Sequence, residues 1–210
     1  MRDELLAILG SLELSARLTS LDTCVNQLSQ YSSLLLSWGK RLGFSSSRDE
    51  QEVLDRHVLD CIYAADQVPV TDKCLDIGSG PGLPGLVMAM VCPATLFVLI
   101  EPREKPVQFL KHARMELQIG NVEIMQEPLA NLTRESNSIE SCSFTARAYS
   151  PIAQLLPQLA HKAHSGERLY FLGGLNSKIL DHVPTEFRLV ATNPYHPIDL
   201  NKRLFILQRW

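Results

Sequence analysis

From Lys73 onward the sequence alternates short apolar runs with helical stretches, and this alternation restricts the fold more than any other feature. Lys73–Ile77, Thr95–Glu101, Val122–Gln126, Cys142–Arg147, Arg168–Leu172, Phe187–Ala191 and Leu204–Arg209 read as strands. Pro84–Val91, Glu104–Gln118 and Pro151–His164 fit helices between the earlier ones. Parallel strands need long crossovers, and those crossovers cover the faces of the sheet. The predicted class is therefore α/β, a doubly wound Rossmann-like sheet whose last two runs close it as an antiparallel pair.

Residues 1–70 follow a different rule. Val25, Leu28, Leu35, Trp38 and Leu42 recur at helical spacing between Leu21 and Leu42. After a loop at Gly43–Ser47, Ser47-Arg-Asp-Glu50 fits a capping box, and Leu54, Val58, Cys61, Ile62 and Ala65 supply a buried face. The expected organisation is an N-terminal helical segment, residues 1–70, ahead of an α/β domain, residues 71–210.

Lys+Arg 20 against Asp+Glu 23 gives a net charge of −3, so no global basic field advertises nucleic acid and any RNA contact must come from a local patch. Five scattered cysteines without a C-x-x-C pair fit reduced core thiols better than disulfides or a zinc site. His161 and His164 sit one helical turn apart without a third ligand, so no metal site is expected. Asp3, Glu4 and Glu13 interrupt the first apolar residues, which do not read as a signal peptide, and no run is long enough to cross a bilayer. The expectation is a cytoplasmic monomer.

The chemistry concentrates in Leu75-Asp76-Ile-Gly78-Ser-Gly80-Pro-Gly82-Leu83-Pro84-Gly85, directly after the first parallel strand. Glycines let the backbone turn sharply and let a ligand lie against the main chain. Gly80–Gly85 matches G-x-G-x-x-G, the dinucleotide pattern, whereas Asp76–Gly82 matches D-x-G-x-G-x-G, the pattern of S-adenosylmethionine (AdoMet) enzymes. Asp76 would repel a pyrophosphate but stabilise the ammonium and sulfonium of AdoMet, directly or through water, so charge favours the second register. Glu101, closing the next strand, would accept hydrogen bonds from both ribose hydroxyls of either ligand. An NAD-binding oxidoreductase stays open as the alternative, as does a non-catalytic AdoMet- or RNA-binding relic of the fold.

The chain resembles, almost from end to end, the bacterial small-subunit (16S) rRNA guanine-N7 methyltransferase G family, also called glucose-inhibited division protein B. The resemblance rests on Trp38-Gly-Lys40-Arg41, Arg48-Asp49, Arg56-His57-Val-Leu-Asp60, the loop Asp76–Gly85, Lys105 with Phe109-Leu110, and Ala146-Arg147-Ala148-Tyr149. It implies a class I AdoMet-dependent methyltransferase in which Gly78 and Leu83 contact AdoMet, Leu129 and Ala130 flank the adenine, and Arg147 lies near cofactor and target base. The partner it implies is 16S rRNA or the small ribosomal subunit. The chain departs from the family pattern at Glu127-Pro128, Gly173-Gly174 and Gly43-Phe-Ser-Ser46, changing three polar or basic contacts.

Guanine N7 carries an in-plane lone pair and no proton, so its methylation needs alignment rather than a general base. Arg147 is the expected catalytic residue, binding guanine O6 or a nearby phosphate. Lys40, Arg41, Arg48, Arg56 and His57 are the expected RNA platform, with Trp38 and Phe44 near them to stack a splayed base. The competing reading is an ordinary solvated helix face, since Asp49, Glu50, Glu52, Asp55 and Asp60 are interleaved, with Trp38 in the core.

Overall fold

Seven strands form one sheet in the order β3-β2-β1-β4-β5-β7-β6 in the computed structural model, which describes residues 1–44, 46–69, 71–132, 142–147, 152–175, 179, 181 and 183–210. Ser45, Ala148, Tyr149 and Pro151, which figure in the readings above, lie outside the described residues. The strands are β1 (Lys73–Ile77), β2 (Leu96–Ile100), β3 (Val122–Met125), β4 (Ser143–Arg147), β5 (Arg168–Gly174), β6 (Phe187–Pro194) and β7 (Lys202–Arg209). The first five are parallel; β7 runs antiparallel between β5 and β6. The order reverses between β1 and β4, leaving a crevice at the carboxyl ends of those strands, where open α/β sheets bind ligands.

Strand alternation assigns the two faces. Cys74, Phe97 and Leu99 point into one apolar cluster, and Leu75, Ile77, Val98 and Ile100 into the other. Helices α5 (Gly85–Val91) and α6 (Glu104–Glu116) cover the first face, and α7 (Ile152–Ala160) covers the second. The expected helix start at Pro84 shifts by one residue, because Pro84 is the N-cap.

The N-terminal helices share the first core. They are α1 (Arg2–Ser11), α2 (Leu21–Leu42), α3 (Glu50–Val53) and α4 (Leu59–Gln67), and a π-helical turn, Leu54–Val58, joins the last two. The hydroxyl of Ser20 accepts the Thr23 N–H to open α2, and Gly43, at φ +73°, closes it. Val25, Leu28, Tyr31 and Leu35 are fully buried against α5 and α6, each such side chain contributing roughly 1.5–3 kcal/mol. The capping box sits two residues later than expected. Asp49 Oδ1 accepts the Glu52 N–H, and Glu52 Oε2 reaches back to the Arg48 N–H. Glu50 is committed elsewhere, accepting the Ser33 hydroxyl at 2.5 Å.

Candidate functional site

The glycine loop occupies the crevice beside β1. Gly78, Gly80 and Gly82 have φ of +71°, +55° and +101°, conformations that disfavour side chains. Gly78 and Ser79 donate their N–H groups to the Ile100 carbonyl at 2.8 and 3.1 Å, and Gly82 and Leu83 donate theirs to the Ser79 carbonyl. From the helical segment, the buried Tyr31 hydroxyl donates to the Pro81 carbonyl at 3.0 Å. The three glycines differ in what they make room for. A Cβ on Gly82 would stand 2.6 Å from Leu86 Cβ, so packing requires that glycine, whereas one on Gly80 would meet nothing closer than Arg103 Nη2 at 3.9 Å. A Cβ on Gly80 would thus come only to ordinary contact distance. Leu83 is half-buried against the core below the loop.

Asp76 lies under this loop rather than beside a ligand. Its side chain is fully buried, Oδ2 accepting the Gly85 N–H at 3.1 Å and Oδ1 the Thr145 hydroxyl at 3.1 Å. Asp76, expected from the sequence to meet AdoMet directly or through water, is placed where its carboxylate holds the backbone that begins α5. Burial pushes its carboxyl up to about 6, against hydrogen bonds that lower it. Its bond to Gly85 also decides between the registers. The first N–H of α5 faces a carboxylate and is not offered to a pyrophosphate, which removes the basis of the dinucleotide reading.

Glu101 stands at the crevice as expected, buried, with Oε2 accepting the Gly80 N–H at 2.9 Å. Sequence reading missed its second partner. Arg103 donates its backbone N–H and Nε to Oε1 at 2.9 and 2.8 Å and Nη2 to Oε2 at 3.2 Å. Burial raises the Glu101 pKa, but the Arg103 and Gly80 donors outweigh it and hold the carboxyl below its usual range. Next to β3, the 3-10 turn Leu129–Asn131 buries Leu129 in the second core and exposes Ala130. Lys162 Nζ ties this turn down, donating to the carbonyls of Ala130 and Leu132 at 3.1 and 2.5 Å. These residues fit an adenosyl group: a carboxylate for the diol, a main-chain cradle at Gly80 and an apolar turn beyond β3.

Arg147 ends β4 and points inward. Nε lies 3.1 Å from Asp60 Oδ2, Nη1 3.4 Å from the His57 carbonyl and Nη2 3.2 Å from the Arg56 carbonyl, while Asp60 Oδ1 also accepts the Tyr195 hydroxyl at 2.6 Å and lies 3.3 Å from Lys202 Nζ. Arg147 is expected from the sequence near the target base; the structure places its guanidinium where it clamps the π-helical turn onto the end of β4. The planar fork satisfies carbonyls that the widened turn exposes.

The basic residues form an exposed ridge that leads to that clamp. Lys40 donates to the Arg48 carbonyl at 3.2 Å, and Arg41 is exposed beside it. Arg48 and Arg56 both pair with Glu52, at 3.3 and 2.9 Å, and hydrogen bonds from the Arg48 N–H and Arg56 hold Glu52 down to about 2. His57 adds no charge near neutrality, because burial, Arg147 and Arg56 lower it to about 4. Trp38 and Phe44 pack on α6: Trp38 lies 5.0 Å from His112 and 5.7 Å from Phe109, and Phe44 5.9 Å from Phe109. At Gly173-Gly174, one of the departures from the family pattern, β7 sets Arg203 and Lys202 directly opposite. Among the described residues no three His, Cys, Asp or Glu side chains converge as metal ligands, and no helix is long and apolar enough to cross a membrane.

A doubly wound sheet of this order, with a three-glycine loop held by one acid and faced by a second acid at the end of β2, defines the class I AdoMet-dependent methyltransferases. The mitomycin 7-O-methyltransferase MmcR shares the fold, with a TM-score of 0.57 at 12% identity over 73% of this chain and 54% of that one. Residues 24–185 match the GidB family, described as rRNA small subunit methyltransferase G. The ribosomal RNA small subunit methyltransferase G of Wolinella succinogenes is 36% identical over 135 residues, 64% of this chain and 67% of that protein. Its counterpart in Klebsiella pneumoniae is 31% identical over 172 residues, 81% of each. The chain belongs to the rRNA small subunit methyltransferase G family, and its cofactor is AdoMet.

Proposed function

We propose that this protein transfers the methyl group of AdoMet to N7 of a guanine in small-subunit ribosomal RNA, as a monomer in the cytosol. Family membership across residues 24–185 carries the reading, and the loop glycines and both acids of the site support it. AdoMet supplies an electrophilic methyl on a sulfonium. The protein's task is position. Glu101 receives the ribose hydroxyls, the main chain at Gly78 and Gly80 lies against the ligand, and Leu129 and Ala130 flank the base. Because N7 has no proton to lose, no side chain has to remove one. The gain comes from holding the lone pair in line with the methyl group, the kind of pre-paid ordering whose effective molarity reaches about 10⁵–10⁸ M. Arg147 acts one step back, fixing the turn that presents Arg56 beside the crevice, and Lys40, Arg41, Arg48 and Arg56 meet RNA phosphates.

The test is to map N7-methylguanosine in small-subunit rRNA from cells with and without the gene, and to add purified protein and AdoMet to undermodified rRNA and to undermodified subunits. A modified guanine that disappears without the gene and returns in vitro fits the proposal; identical maps together with no transfer sink it.

A further inference from the structure

The Glu101 carboxylate is already full. A carboxylate offers about four lone-pair sites, and here the Gly80 N–H, the Arg103 N–H, Arg103 Nε and Arg103 Nη2 take them at 2.9, 2.9, 2.8 and 3.2 Å. Two of these donors are main-chain groups fixed by the loop and by the start of α6. The other two belong to one side chain that is 67% exposed and whose guanidinium pairs with Glu101. That guanidinium also hangs over the cradle, since the position of a Cβ on Gly80 lies 3.9 Å from Nη2. A vicinal diol needs two acceptor sites, one on each oxygen, and these are the two that Arg103 fills.

We propose that Arg103 is an exchangeable plug of the ribose subsite: its guanidinium occupies Glu101 until a nucleoside diol displaces it, so Arg103 sets cofactor affinity by competition. This rests on the assignment of the crevice to an adenosyl ligand. The exchange leaves the main-chain donors in place and trades two bonds from an exposed cation for two from hydroxyls. Arg103 is thus a specificity-determining residue that opposes the cofactor it stands beside. Because one partner is exposed, the pair is weak, and the effect is modest: about 2- to 5-fold in affinity. The plug keeps the buried carboxylate paired when no ligand is present, so its removal raises the demand of Glu101 for a diol.

The probe is 5′-methylthioadenosine, which carries the diol and adenine without either charged end of AdoMet, measured by calorimetry against intact wild type, Arg103→Met, Arg103→Lys and Glu101→Gln. Arg103→Met is expected to bind about 2- to 5-fold more tightly than wild type, with Arg103→Lys between them because an ammonium cannot fill both sites. Raising the salt to about 1 M, where screening acts within about 3 Å, should tighten wild-type binding and leave Arg103→Met unchanged. Equal or weaker binding by Arg103→Met, or the same salt response in both, overturns the plug. Glu101→Gln must bind more weakly than wild type; if it does not, the carboxylate is no diol acceptor and the proposal falls with it. No binding of this probe or of S-adenosylhomocysteine by wild type and Arg103→Met alike overturns the cofactor site itself.

Discussion

Asp76 and Arg147, both expected near a ligand, are largely buried and engaged in internal contacts. With Asp76 pushed up to about 6 from 3.8, the folded chain between those values holds a proton that the unfolded chain has released. This contribution to stability therefore declines as pH rises through the interval, while loop geometry needs the ionised form. Protonation turns an acceptor into a donor opposite the Gly85 N–H or the Thr145 hydroxyl. Binding of S-adenosylhomocysteine should weaken as pH falls below about 6, and Asp76→Asn should bind weakly with a flat profile in calorimetric titrations. For Arg147 the expected loss is structural. Arg147→Met leaves Asp60 buried with Tyr195 and Lys202 as remaining partners, so the cost is about 2–3 kcal/mol rather than the full cost of orphaning a buried charge. Denaturant unfolding of Arg147→Met, Asp60→Asn and the double variant should give a coupling of about 1 kcal/mol or more. Strict additivity would leave Arg147 free for RNA.

The π-helical turn is one place where the helical segment and the sheet meet. Its widened backbone turns the carbonyls of Arg56 and His57 toward Arg147, while the Arg56 side chain stays outside and shares Glu52 with Arg48. Glu52 thereby neutralises part of the ridge. Glu52→Gln should free both arginines, tighten rRNA binding at low salt and steepen the salt dependence by up to about one phosphate contact. An unchanged slope would mark them as a solvated face. His57, lowered from 6.5 to about 4, is neutral when folded over a range where the unfolded chain is protonated. Stability is therefore lost as pH falls through that window, and His57→Gln should lose less between about pH 6.5 and 4 in thermal melts. Asp76 works with the opposite sign over part of the same range, so the difference between the two proteins is the quantity to read.

At the scale of the molecule, the helical segment and the sheet are bound by one apolar cluster. Leu5, Leu9, Val25, Leu28 and Leu35 share it with α5, α6 and the first face of the sheet. Residues 71–210 expressed alone would expose that face. The expected result is a soluble fragment with poor cooperativity or none at all, seen as a shallow thermal transition and binding of hydrophobic dye, and no affinity for S-adenosylhomocysteine, since Tyr31 no longer holds the loop at Pro81. A sharp transition in the fragment would make the segment a separable unit.

The sequence determined the local and periodic part of this protein. Short apolar runs located all seven strands, three- and four-residue spacing located α2, and Asp76 with its glycines announced a ligand-binding turn. Tyr31 was legible too, since it stands on the same stripe as Leu28 and Leu35. Tertiary structure decided which polar side chains face outward. Asp60, Arg147, Tyr195 and Lys202 come from α4, β4, the β6–β7 connection and β7, and no spacing in the chain joins them. Arg103 is only two residues from Glu101, yet its turn back onto that carboxylate, over Gly80, is set by how the loop and the start of α6 pack. Hydrophobic period is written along the chain because each element repeats its own geometry, whereas a buried charge finds its partner only after the elements have packed.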